Sequence, residues 1–214
     1  MSRRNSRIML IVLIGVFLLA TSSVYAETAD EYYQSGNAYA NQGNFTQAIS
    51  DYTKSIEIDP NHAEPYYNRG GAYRLQGNFT QAISDFTRVI EIDPNHAEAY
   101  FNRGIAYYDQ GDSAQAIKDY TKAIEIDPNH VTAYCNRGIV YTGQGDFTQA
   151  ISDFNKALEI NPNYAAAYYN RGAVYFGQKD FAKAWEDVHK AEELGHPSNP
   201  AFLDELKKAS GRDK

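Results

Sequence analysis

Three histidines, His62, His96 and His130, recur at intervals of 34 residues, and repeated imidazoles invite a metal site. Zinc needs its nitrogen ligands about 2.0–2.1 Å from one centre. Residues that close successive copies of a helical unit stand roughly 8–10 Å apart or more, the distance at which helices pack. These histidines are therefore expected to be turn residues beside a helix start, and no metal is expected. His189 and His196 are isolated. The chain has no glycine-rich phosphate loop, no His-Glu-x-x-His and no Gly-x-Ser-x-Gly, so no catalytic residue and no cofactor is expected. Its single cysteine, Cys135, excludes an internal disulfide. Two parallel columns remain. Amides stand at Gln34, Asn68, Asn102, Asn136 and Asn170, each preceded by Tyr33, Tyr67, Phe101, Cys135 and Tyr169. Amides offer donor and acceptor together, and aromatic rings supply contact area.

The elements that carry these columns are written in a period. Pro60, Pro94, Pro128 and Pro162 lie 34 residues apart, each inside Glu-Ile-Asp-Pro-Asn-His or its variant Glu-Ile-Asn-Pro-Asn-Tyr. Such regularity marks a repeat array. The units are 29–62, 63–96, 97–130, 131–164 and 165–198. Each contains two helices: Tyr100, Gly104 and Tyr107 form one stripe at helical spacing, and Ala114, Ile117, Tyr120 and Ile124, with neighbouring Ala116 and Ala123, a second. Gly43, Gly77, Gly111 and Gly145 end the first helices, and proline closes the second. Asn44 with Gln47, and Asn95 with Glu98, have the spacing of capping boxes. Asn199-Pro200 opens a last helix whose Phe202, Leu203 and Leu206 face inward, as a cap over a solenoid's open end.

These residues resemble the tetratricopeptide repeat family over 29–198. The large aromatic is Tyr32, Tyr66, Tyr100, Tyr134 and Tyr168; the small residue is Gly36, Gly70, Gly104, Gly138 and Gly172. The second aromatic is Tyr39, Tyr73, Tyr107, Tyr141 and Tyr175, and the alanine of the second helix is Ala48, Ala82, Ala116, Ala150 and Ala184. The resemblance implies an all-α, right-handed superhelical solenoid of five helix-turn-helix repeats plus a C-terminal capping helix over 199–214. It also implies a concave groove, lined by the first helices, that takes a peptide or a partner's helix. Asparagines of the amide column would then bond the bound backbone. The expected groove is Tyr33, Asn37, Tyr67, Asn68, Phe101, Asn102, Cys135, Asn136, Tyr169 and Asn170, beside a second apolar stripe such as Phe101, Ile105 and Tyr108. In relatives that clamp a terminal carboxylate, two asparagines act with three cations. Asn37 and Asn68 match the asparagines here, but Tyr33, Glu98 and Asn102 stand at the cation places, so no such clamp is expected. Asp30, Glu64 and Glu98 make that end of the groove acidic, with Arg74 the exception, which favours a neutral or basic partner.

One departure from the family concerns Arg69, Arg103, Arg137 and Arg171, where leucine is frequent; the first unit has Ser35. With Asp51, Asp85, Asp119, Asp153 and Asp187 they suggest a ladder of ion pairs, either within a unit (Arg69–Asp85) or between units (Asp51–Arg69).

The chain has 214 residues, 43% apolar and 14% aromatic, with a formal charge of −7. That is enough apolar material for a core, and the acidic balance excludes a nucleic-acid partner. Residues 1–26 have the layout of a secretory signal peptide: Arg3, Arg4 and Arg7, an uncharged stretch from Ile8 to Ala20, then small residues ending in Val24-Tyr25-Ala26. The apolar run is shorter than the roughly 20 residues of a membrane-crossing helix. Cleavage after Ala26 is expected over an uncleaved anchor, leaving no membrane span and a charge of −10 once the three arginines are gone. The expected role is an exported, non-enzymatic protein–protein adaptor, most naturally periplasmic. The alternative is a structural protein that self-associates as a homo-oligomer.

Overall fold

A computed structural model describes residues 27–211. The expected leader, 1–26, and residues 212–214 of the tail lie outside the described residues. Among the described residues there are eleven helices and no strand: α1 (Ala29–Asn41), α2 (Phe45–Ile58), α3 (Ala63–Leu75), α4 (Phe79–Ile92), α5 (Ala97–Gln110), α6 (Ser113–Ile126), α7 (Val131–Gly143), α8 (Phe147–Ile160), α9 (Ala165–Gly177), α10 (Phe181–Glu193) and α11 (Pro200–Ser210). They pack as successive antiparallel pairs into a superhelical solenoid.

The seam within each pair needs a residue without a side chain opposite a ring. At Gly104 an added Cβ would stand 2.8 Å from the Tyr120 ring, and at Gly138 2.8 Å from Phe154. Those rings and the alanines Ala48, Ala82, Ala116, Ala150 and Ala184 are fully or almost fully buried. Between the helices of a pair the chain turns through a left-handed residue, Gly111 at φ 93° for example. The fifth unit has Lys179 there instead, at φ 64°.

The turn between units explains the Asp-Pro-Asn-His signature. Asp59, Asp93 and Asp127 leave their helices extended, and each carboxylate accepts the backbone N–H two residues on, at 3.1, 3.0 and 3.0 Å. Proline between them fixes φ where no N–H is needed. Asn95 is thus the donor in this turn, and the helix cap is His96, whose Nδ1 accepts the Ala99 N–H at 3.2 Å. That corrects the Asn95–Glu98 capping box. Asn44 does cap α2, accepting from the Gln47 N–H at 3.3 Å, and a complete capping box forms at Thr28 and Glu31.

The arginine–aspartate ladder runs within units. Arg69 pairs with Asp85, Arg103 with Asp119, Arg137 with Asp153 and Arg171 with Asp187, each through two nitrogens at 2.7–2.9 Å. The link between units exists too, but its acceptor is neutral: the remaining guanidinium nitrogen donates to Thr53, Thr87, Thr121 or Asn155 of the preceding unit. The first unit has no arginine, and Asp51 accepts instead from Ser35 at 2.7 Å, Gln47 at 3.2 Å and Lys54 at 3.4 Å.

Both ends of the stack are finished. On α1, exposed Glu31 stands where later units bury Pro65, Ala99, Ala133 and Ala167. At the other end α11 seats the fully buried Leu206 against Ala184, Trp185 and Val188, and Phe202 against Tyr169 and Phe176, with ring centroids 5.7 and 5.4 Å away. Asp204, Glu205 and Lys208 face outward.

Candidate concave binding face

The aromatic column is held from behind by the turn that ends its own unit. Tyr33 packs on His62, Tyr67 on His96, Phe101 on His130 and Tyr169 on His196, with ring centroids 5.4, 5.4, 4.7 and 4.5 Å apart. The fourth unit exchanges the sizes: Cys135 replaces the ring, and the larger Tyr164 replaces histidine in the same cluster. The histidines therefore have separate partners, one per unit. His62 Nε2 also lies 3.1 Å from Glu64, and His130 Nε2 3.4 Å from Glu98.

The amide column is bonded along the solenoid. Asn68 Nδ2 donates to Asn37 Oδ1 at 2.8 Å and to the Tyr33 hydroxyl at 3.3 Å. Asn102 Nδ2 donates to the Tyr67 hydroxyl at 2.8 Å and to the Glu98 carbonyl at 2.9 Å. Asn170 Nδ2 donates to the Ala166 carbonyl at 2.8 Å and reaches Cys135 Sγ at 4.0 Å. Asn136 lies against the Tyr120 hydroxyl. Asn37 Oδ1 takes a second bond, from the Tyr52 hydroxyl at 2.8 Å. Asn68, Asn102, Asn136 and Asn170 thus tie their helices to the preceding unit or to their own backbone, and Asn37 joins its own second helix to the next unit.

The two columns are not equally open along the chain. A cleft of about 590 Å³ lies over the first three units, lined by Gln34, Asn37, Asn41, Tyr67, Asn68, Gly71, Leu75 and Asn102 among others. Its floor is formed by Tyr52 and Phe86 of the second helices. Burial pushes the Tyr52 hydroxyl up to about 12, and raises Tyr67, with the Glu98 charge adding to it. In the fourth unit Cys135 is 2% exposed, so it lies beneath the column's surface, and burial pushes its thiol up to about 12. In the fifth, Phe202 of α11 covers Tyr169. The second apolar stripe is less open than its spacing suggests. Phe101 and Ile105 are half-buried against Tyr120 and Val140, and only Tyr108, at 44%, is an exposed large apolar residue of that stripe.

Gly71, Leu75, Ala40, Asn41 and Phe45 line the cleft without having been singled out from sequence. For Gly71 a signal existed: Gly70-Gly71 places a second glycine outside the 34-residue period. The acids Asp30, Glu64 and Glu98 are exposed, one helical turn before Gln34, Asn68 and Asn102. Arg74, the nearby cation, is engaged by Asp109 at 3.4 Å.

Comparison with known proteins agrees with this architecture. Models described as tetratricopeptide repeat match residues 97–130 and 119–152, and one described as TPR repeat matches 36–74, 70–111 and 140–179. Among solved structures, a crystal structure of MamA is 29% identical with a TM-score of 0.70, over 82% of this chain and 96% of that one. MamA from residue 41 to its end, from Desulfovibrio magneticus RS-1, is 22% identical with a TM-score of 0.72, over 78% and 94%. YrrB, described as a TPR protein with an unusual peptide-binding site, is 23% identical with a TM-score of 0.66, over 84% and 92%. The last two likenesses concern the fold. No curated protein matches the chain.

Proposed function

The chain belongs to the tetratricopeptide repeat family, and we propose that it is a non-enzymatic protein–protein adaptor whose concave face holds a peptide segment or helix of its partner. The observation that carries this is the cleft over the first three units, where amides of three separate first helices converge on one space beside the Tyr67 ring. A solenoid that needed these side chains only for stacking would have filled that space. Similarity to YrrB, itself described as having a peptide-binding site, accords with the proposal. The acids at Asp30, Glu64 and Glu98 favour a neutral or basic partner. Export to a periplasm is part of the same proposal and rests on the residue pattern of 1–26. Self-association by end-to-end stacking is not favoured, since Glu31 faces outward at one end and α11 closes the other.

Affinity capture from an envelope extract tests the adaptor role. The full chain is compared with a variant carrying Asn68→Ala, Asn102→Ala and Asn136→Ala, both checked for helical content and melting. A specific protein retained by the first and lost from the folded variant is expected. Equal retention by both would contradict the groove, and recovery of nothing but further copies of the chain would favour a structural oligomer.

A further inference from the structure

We propose, building on the groove described above, that the cleft at Gly71 receives a cationic side chain, lysine or arginine, of the bound segment. Gly71 lies in the middle of α3, has no left-handed φ, and a Cβ added there would meet nothing within 4 Å. Its neighbour Gly70 is different: a Cβ there would stand 3.0 Å from the Phe86 ring. A mid-helix glycine weakens a helix relative to alanine, and at position 71 neither packing nor backbone conformation returns that loss. What the missing side chain does is deepen the cleft between Asn37, Asn68 and Leu75.

The polar groups there select the sign of the occupant. Both Nδ2 protons of Asn68 and of Asn102 are already donated, to Asn37, Tyr33, Tyr67 and the Glu98 carbonyl. What these two amides have left is their Oδ1, an acceptor, whereas Asn37, whose Oδ1 already takes Asn68 and Tyr52, has its Nδ2 left. Glu64 and Glu98, with side chains 63% and 56% exposed, add carboxylates one turn away. Arg74 gives Nη1 to Asp109 while its buried Nε has no partner, and it is not among the residues that line the cleft. Acceptors and negative charge around an apolar wall formed by Leu75 and the Tyr67 ring fit a long aliphatic stem ending in a donor-rich cation. A carboxylate would find the Nδ2 of Asn37 but would face the Oδ1 of Asn68 and Asn102 and the charges of Glu64 and Glu98.

The test uses hexapeptide mixtures, each with one position fixed as a single amino acid, passed over the immobilised full chain. Wild type is expected to retain mixtures fixed as Lys or Arg at one position roughly tenfold better than the Gln mixture, the scale of one charge-assisted hydrogen bond. Gly71→Leu, folded by circular dichroism, is expected to lose that preference. Glu98→Gln, at an exposed side chain whose carboxylate lies 3.4 Å from His130, is expected to weaken it with the melting temperature matched to wild type. A preference for Asp, Glu or apolar residues in wild type, or a Lys/Arg preference unchanged in both variants, would overturn the proposal while leaving the groove intact. Retention of no mixture at all would overturn the groove as well.

Discussion

Nε and Nη2 of Arg69 donate to the two carboxylate oxygens of Asp85, both at 2.8 Å, while Nη1 donates to Thr53 Oγ1 at 2.9 Å. One guanidinium thereby joins α3 to α4 and both to α2 of the preceding unit. Burial opposes the Arg69 charge, but the Asp85 contacts outweigh it and raise the guanidinium above its ordinary value. The Asp85 side chain is 7% exposed, so removing its partner leaves a carboxylate with little water. Arg69→Met is expected to cost about 3–5 kcal/mol, and Thr53→Val about 1 kcal/mol. Urea unfolding measures both. Two equally small losses would mean that the arginine is a surface residue in effect.

Adjacent kinds of glycine are expected to respond in opposite directions. Gly71→Ala places a methyl in open space and improves helix propensity, so stability rises by about 1 kcal/mol. Gly104→Ala places one 2.8 Å from the Tyr120 ring and costs roughly 1–3 kcal/mol through overpacking. Thermal melts of the two variants give the comparison directly. A loss at position 71 would show that alanine there meets something the backbone geometry does not.

Lys179 occupies the left-handed turn that glycine fills in the first four units, at φ 64°. A non-glycine residue in that region carries about 1–2 kcal/mol of strain, offset in part by the greater freedom of glycine when unfolded. Lys179→Gly should therefore stabilise the chain by roughly 1 kcal/mol. Guanidinium unfolding midpoints at constant slope decide it, and an unchanged or lowered midpoint would count against strain at this turn.

Alkaline pH should weaken the fold through groups that burial holds protonated. The Tyr52 hydroxyl and the Cys135 thiol are both pushed up to about 12, against unfolded values of about 10 and 8.5. Their folded pKa values are raised, so the stability they contribute is complete below pH 8.5 and falls as pH rises toward 12. Melting temperature followed from pH 8 to 11 is expected to drop, and Tyr52→Phe should flatten part of the slope. At pH 8 Cys135 should resist thiol reagents until the chain unfolds. Rapid labelling of the native protein would show that the fourth unit opens.

The solenoid was legible because its physics is periodic. A glycine opposite a ring, a left-handed turn and an Asp-Pro-Asn corner each leave a residue-specific mark every 34 positions. The two columns of the concave face were legible for the same reason. What sequence could not supply was the state of their hydrogen bonds. Nothing in the residue type announces that Asn68 gives both amide protons to the unit before it, or that Asn102 divides its own between Tyr67 of the preceding unit and the Glu98 carbonyl of its own helix. Phe101 and Ile105 share a stripe with exposed Tyr108, yet only the packing of Tyr120 and Val140 tells that they are half-buried. The ladder's direction was open for a similar reason: spacing alone allows Asp51 or Asp85 as the partner of Arg69, and the structure divides its nitrogens between Asp85 and Thr53.

Site-specific photo-crosslinking tests the central claim most directly, that the partner lies on the face built by the first helices. A benzophenone amino acid is placed at Tyr108, exposed on α5, and separately at Lys118, exposed on α6. Irradiation in envelope extract should give a discrete adduct of higher mass from position 108 and none from position 118. The same adduct from both positions, or from 118 alone, would contradict a partner held in the concave groove.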